Sequence, residues 1–133
     1  MNYLDSNLVI YAILDGTEVG EWARDVMERV QNGVLPACTS FLTFDEVFYK
    51  VKKVKGTDIA VKNLEAFLTI PNMRFIDVNG AVIYKSLELI REYDLLPRDA
   101  IHAATAFIEG AETIFSQDKY FDSIRGLNRK WDV

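Results

Sequence analysis

The sequence predicts an α/β fold: a mostly parallel sheet of four or five strands with helices on both faces. Three observations carry that expectation. Short apolar stretches suited to buried strands alternate with longer ones whose apolar residues recur at helical spacing. The alternation runs through the chain without a repeat, low-complexity tract or Gly/Ser linker. Its 133 residues, half of them hydrophobic, are enough for one core of ordinary size. Strands separated by helices pair in parallel and need a covering layer on each face. Residues 1–133 therefore read as a single three-layer α/β/α domain.

Asn2 to Asp5 reads as a short strand, followed at once by an apolar helix from about Asn7 to Leu14. After Thr17, a candidate cap, Val19, Trp22, Ala23, Val26, Met27 and Val30 mark an amphipathic helix that Gly33 can close. Val34 to Cys38 suits a buried strand. Thr39 or Ser40 is placed to cap a helix carrying Phe41, Phe44, Val47, Phe48 and Val51. Gly56-Thr57 breaks that helix and opens another, with Leu64, Phe67 and Leu68 on one face. Pro71-Asn72 turns the chain into a strand from Met73 to Val78, and Ala81 to Tyr93 is helical through Val82, Ile83, Leu87 and Ile90. Pro97, tolerated in a first turn, starts an alanine-rich helix that Gly110 ends. Glu112 to Ser116 makes a fourth strand, and Lys130 to Val133 is the candidate fifth.

Composition removes several function classes. An apolar share this high offsets chain entropy, which excludes disorder. Cys38 stands alone, which excludes a disulfide framework and a cysteine-rich zinc module. Leu8 to Leu14, the longest strongly apolar run, is too short to span a bilayer, and Met1 to Asp5 lacks the regions of a signal peptide. The expectation is a soluble cytoplasmic protein. Fifteen Lys plus Arg against twenty Asp plus Glu give a net charge of −5. A protein that handled phosphates with that balance would need a local basic stripe or bound cations.

The acidic residues fall where such cations would bind. Ligands of open α/β sheets sit at the carboxyl ends of the strands. Asp5 ends the first predicted strand, and Asp118 lies two residues beyond Ser116 at the end of the fourth. Glu46 is on the helix leaving the second strand, and Asp99 is in the first turn of the helix starting at Pro97. Asp122 lies just outside this group. Each has a plain structural reading too: Asp5 as a helix cap, Asp99 as an anion favoured at a helix N-terminus, Glu46 as a solvated helix residue, Asp118 as a turn former. The combination on one edge carries the inference.

Two carboxylates about 4 Å apart repel by roughly 4 kcal/mol at an effective dielectric near ~20. Several together require protons or a cation among them. Oxygen ligands without His or Cys select Mg²⁺ or Mn²⁺ over zinc. The fitting chemistry is metal-assisted hydrolysis, in which an activated water attacks phosphorus and no side-chain nucleophile is needed. No P-loop or dinucleotide-binding glycine pattern appears. Cys38 reads as core, and His102, the one histidine, as a packing or helix-surface residue one turn from Asp99. Lys50, Lys52, Lys53 and Lys55 cluster at the end of the Glu46 helix, either as a solvated end favoured by the dipole or as phosphate contacts. Arg98 and Lys119 adjoin two of the acids. Phe41, Phe44 and Phe48 read as core rather than as base-stacking platforms.

At these residues the chain resembles the PIN-domain ribonucleases, most closely the VapC toxins of prokaryotic toxin–antitoxin pairs. The resemblance lies in Tyr3-Leu4-Asp5-Ser6-Asn7, Glu46, the run from Pro97-Arg98-Asp99 to Ala104, and Phe115-Ser116-Gln117-Asp118-Lys119-Tyr120-Phe121-Asp122. It implies a PIN-like fold and an acidic metal site of Asp5, Glu46, Asp99 and Asp118. Ser6 and Ser116 become polar supports of that site, with Asp122 as an outer ligand; Arg98 and Lys119 join the two serines as substrate-side candidates by their place next to the acids. It also implies a Mg²⁺- or Mn²⁺-dependent endoribonuclease, a homodimer, and inhibition by a VapB-like antitoxin. Three other readings stand beside it: an RNA-processing PIN nuclease without an antitoxin, a non-catalytic PIN-like binding module, and a phospho-accepting receiver-like domain. The last wants adjacent acids after the first strand, where this chain has Leu4-Asp5-Ser6, and Asp77 is a poor acceptor.

Overall fold

A computed structural model describes residues 1–133. The chain runs β1 (Asn2–Leu4), α1 (Ser6–Leu14), α2 (Glu18–Gln31), β2 (Ala37–Ser40), α3 (Leu42–Lys55) and α4 (Thr57–Leu68). It continues with β3 (Met73–Ile76), α5 (Gly80–Tyr93), α6 (Pro97–Ile108), β4 (Thr113–Phe115), a 3₁₀ turn (Lys119–Ser123) and β5 (Asn128–Lys130). The five strands form one sheet in the order β3-β2-β1-β4-β5. Every neighbouring pair is parallel, with Tyr3 opposite both Cys38 and Ile114. The chain builds outward from β1 to one side and then to the other. A crevice is therefore expected at the carboxyl end of β1, the switch point of the topology.

Strand alternation sorts the apolar residues into two cores. Leu4 and Phe115 face the side covered by α1 to α4, where Leu8, Val26, Val47, Val51 and Leu64 are buried. Tyr3, Cys38 and Ile114 face α5 and α6, which add Val82, Leu89 and the alanines at 100, 103, 104 and 106. Each fully buried Leu or Val contributes roughly 1.5–3 kcal/mol. The alanine face lets α6 approach the sheet closely, which seats the first turn of α6 near the end of β1. No helix is long and apolar enough to cross a membrane.

The structure departs from the sequence reading at several places. The second strand is Ala37–Ser40 rather than Val34 to Cys38. Gly33, in the left-handed region at φ 75°, lets the amides of Val34 and Leu35 turn back to the Arg29 carbonyl, so the chain extends only from Pro36. The fifth strand is Asn128–Lys130 rather than Lys130 to Val133, because pairing begins where Asn128 N donates to Glu112 O. Trp131 instead packs edge-on against Trp22.

Phe41 and Phe44 are exposed rather than core residues, at 44% and 41%. The helix starts at Leu42, so its buried stripe runs through Thr43, Val47 and Val51, and the phenylalanines fall on the flank. Phe41 leans on Phe75, and Phe44 on the half-buried Phe48. Leu68 is likewise exposed, unlike Leu64 and Phe67.

Candidate functional site

Asp5 follows β1 directly and is 5% exposed. It does cap α1, accepting from Ser6 N at 2.8 Å, and its second oxygen accepts from Ser116 Oγ at 2.6 Å and Asn7 Nδ2 at 3.2 Å. Ser116, just past β4, also accepts from Asp118 N at 3.0 Å. The ends of β1 and β4 are thereby tied together, and Asp118 is delivered to the same edge. Asp118 also serves as a turn former, accepting from Tyr120 N at 2.9 Å. The plain cap and turn readings of these two acids hold in the structure, which also brings both to the same edge of the sheet.

Glu46 comes from α3, one turn beyond the end of β2. Its Oε1 lies 2.5 Å from Nε2 of His102, which is buried on α6 and also stands 3.7 Å from Asp5 Oδ1. Nδ1 of the same ring meets Tyr3 Oη at 2.5 Å, and that phenol accepts from Ser40 N at 3.1 Å. Asp99, in the first turn of α6, completes the set. Burial first, then the negative charges of Asp118 and Asp5, push its carboxyl up to about 6; Glu46 adds to this and His102 opposes it. One half-buried carboxylate feels the other three.

His102 takes the opposite balance. Burial alone would lower its pKa, but the Glu46 hydrogen bond and the charges of Asp5, Glu46 and Asp99 outweigh it, so the imidazole stands above its ordinary value. Cys38 is buried core, as expected, with burial raising its thiol to about 11.

Hard carboxylate oxygens, with no thiol among them and both nitrogens of the one imidazole taken up by Glu46 and Tyr3, suit Mg²⁺ or Mn²⁺ better than zinc. The fit is one of donor chemistry and charge. It is not a ready-made cage, since no three acidic, His or Cys side chains stand in coordinating geometry around one point.

The remaining candidates divide. Ser6 and Ser116 are buried beside Asp5. Lys119 lines an open cleft with Asn7, Gln117, Asp118 and Tyr120. On the other flank Arg98 and Lys50 line a second cleft with Ser6 and Glu46, and Arg98 Nη2 reaches Asp45 at 3.5 Å. Lys52, Lys53 and Lys55 are exposed in the last turn of α3. Asp122 pairs with Arg129 Nε at 2.9 Å, and Nη1 of that arginine donates to the Ser116 carbonyl at 3.2 Å. Sequence reasoning missed Asn7 and Tyr3 and underrated His102. Asn7 had a signal, two residues after Asp5 at a helix start; the Tyr3–His102 pairing spans 99 positions and had none.

Known proteins give the same outline. The family model described as PIN domain matches residues 3–127. Ribonuclease VapC2 of Methanocaldococcus jannaschii is 25% identical, over 92% of this chain and 87% of its own. Among solved structures, VapBC2 from Rickettsia felis, bound to a DNA fragment from its promoter, is similar at 24% identity with TM-score 0.76, covering 99% of this chain and 100% of that one. A toxin–antitoxin complex from Klebsiella pneumoniae is similar at 22% identity with TM-score 0.73, covering both chains fully.

Proposed function

The chain belongs to the PIN-domain family, and from that premise we propose that it is a Mg²⁺- or Mn²⁺-dependent endoribonuclease of the VapC type, paired with a VapB-like antitoxin. One observation carries the catalytic part. Four carboxylates from four elements gather at the carboxyl edge of the sheet, where burial first and then the charges of Asp118, Asp5 and Glu46 push Asp99 up to about 6. So much negative charge in one half-buried place costs stability, and a divalent cation would offset that cost.

In this reading Asp5, Glu46, Asp99 and Asp118 hold the cation, which when bound supplies an activated water and neutralises charge on the phosphate. The chain's own residues do the rest. Ser116 and Asn7 hold one oxygen of Asp5 in place. The clefts carrying Lys119 on one side and Arg98 with Lys50 on the other would receive the flanking phosphates. Asp122, neutralised by Arg129, lies outside the proposed ligand set.

The named relatives support the partner reading, and a homodimer is proposed on the same family grounds. The test is direct. The purified chain should cleave RNA with Mg²⁺ and stop in EDTA, and Asp118→Asn should abolish cleavage with circular dichroism unchanged. Cleavage retained by a folded Asp118→Asn would refute the assignment.

A further inference from the structure

The four acids are not held alike. Asp5 is fixed by Ser6 N, Ser116 and Asn7, and Asp118 by Tyr120 N. Glu46 has three rotatable side-chain bonds, sits on a helix of the layer opposite α6, and is 21% exposed at its side chain. What reaches it is His102, from across the sheet edge.

The direction of that hydrogen bond follows from counting protons. Tyr3 Oη accepts from Ser40 N, so its own proton is free for His102 Nδ1. If the imidazole is neutral, Nδ1 accepts from Tyr3 and the ring proton sits on Nε2. If it is charged, both nitrogens carry protons and Tyr3 Oη accepts. The remaining tautomer would set a bare Nε2 against an ionised carboxylate 2.5 Å away, two acceptors facing each other. In each acceptable state Nε2–H donates to Glu46 Oε1.

We propose that His102, oriented by Tyr3, is a positioning residue that holds Glu46 in the acidic site, leaving its second oxygen for the cation. The inference rests on the metal-site reading above. It makes the Ser40–Tyr3–His102–Glu46 chain the buried link between α3 and α6, beside the exposed Arg98–Asp45 pair that joins the same two helices. Partners that orient metal-binding carboxylates and histidines act on affinity without touching the ion.

The test is Mn²⁺ binding to the full-length chain, followed by electron paramagnetic resonance of the free ion. His102→Leu keeps the volume and removes the donor, and should weaken binding about tenfold or more. His102→Gln, whose amide N–H reaches the Nε2 position, should recover most of that loss. In a Glu46→Gln background, adding His102→Leu should cost nothing further, because the residue acts through Glu46. Binding by His102→Leu within about twofold of the parent overturns the proposal, as does an additive double variant. Should His102→Leu fail to fold by circular dichroism, Tyr3→Phe takes its place: it leaves the ring and removes its anchor, and unchanged affinity there overturns the proposal equally. A parent chain that binds no Mn²⁺ brings down the metal-site reading itself, a result distinct from either.

Discussion

Asp99→Asn should make the metal-free protein more stable while destroying the metal site. Asp99 is raised from an ordinary 3.8 to about 6, by burial and by Asp118 and Asp5. A group whose pKa is raised on folding contributes its full stability below the unfolded value and loses it as pH climbs through the folded one. The native chain therefore loses stability between about pH 4 and pH 6 on account of this residue. At ~1.36 kcal/mol per pH unit the full loss is roughly 3 kcal/mol. Solvent screening of a half-buried group cuts that to about 2 kcal/mol.

The substitution also removes an anion from the first turn of α6, worth about 0.5 kcal/mol the other way. The net gain is about 1–2 kcal/mol, or a Tm rise of roughly 3–7 °C for a chain of this size. The assay is thermal unfolding in EDTA at pH 7.5 and pH 5. The variant should lead clearly at the higher pH, by less at the lower, and Mn²⁺ should stabilise the parent far more than the variant. A variant no more stable than the parent at pH 7.5 in EDTA would refute the charge-crowding argument.

Two further outcomes follow from other parts of the molecule. Lys52→Glu with Lys53→Glu, at the exposed end of α3, should weaken RNA binding at low salt and leave Mn²⁺ binding intact; unaltered RNA affinity would return these lysines to the solvated surface. Gly20→Ala should destabilise the fold by about 2 kcal/mol or more, seen as a lower midpoint in urea, because the added methyl would meet the Asp15 carbonyl at 1.9 Å. An unchanged midpoint would show that the α1–α2 junction yields more easily than its packing implies.

The sequence disclosed the architecture because period-2 and period-3.6 patterns are local, and here they alternate cleanly. Element ends were less legible. Gly33 reads as a terminator, but the turn-back of Val34 and Leu35 onto Arg29 is a backbone event that side-chain periodicity does not register. Phe41 and Phe44 misled for a related reason. Hydrophobicity alone put them inside, while the helix start at Leu42 gave the buried stripe to Thr43, Val47 and Val51.

The four acids were legible because strand ends in a parallel sheet share one edge, a rule that works without knowing the side-chain geometry. The buried links between them were not. His102 looked like packing on an alanine-rich face, and nothing local says that its two nitrogens meet Tyr3 and Glu46. Nor does the sequence announce that Asp122, four residues beyond Asp118, pairs with Arg129, which also donates to the Ser116 carbonyl.

Crystals soaked in Mn²⁺ and measured at the manganese absorption edge address the main claim head-on. An anomalous peak in bonding contact with Asp5 and with carboxylate oxygens of Glu46, Asp99 or Asp118 is the predicted result. A map with ordered side chains at this edge and manganese only at unrelated surface carboxylates would contradict it.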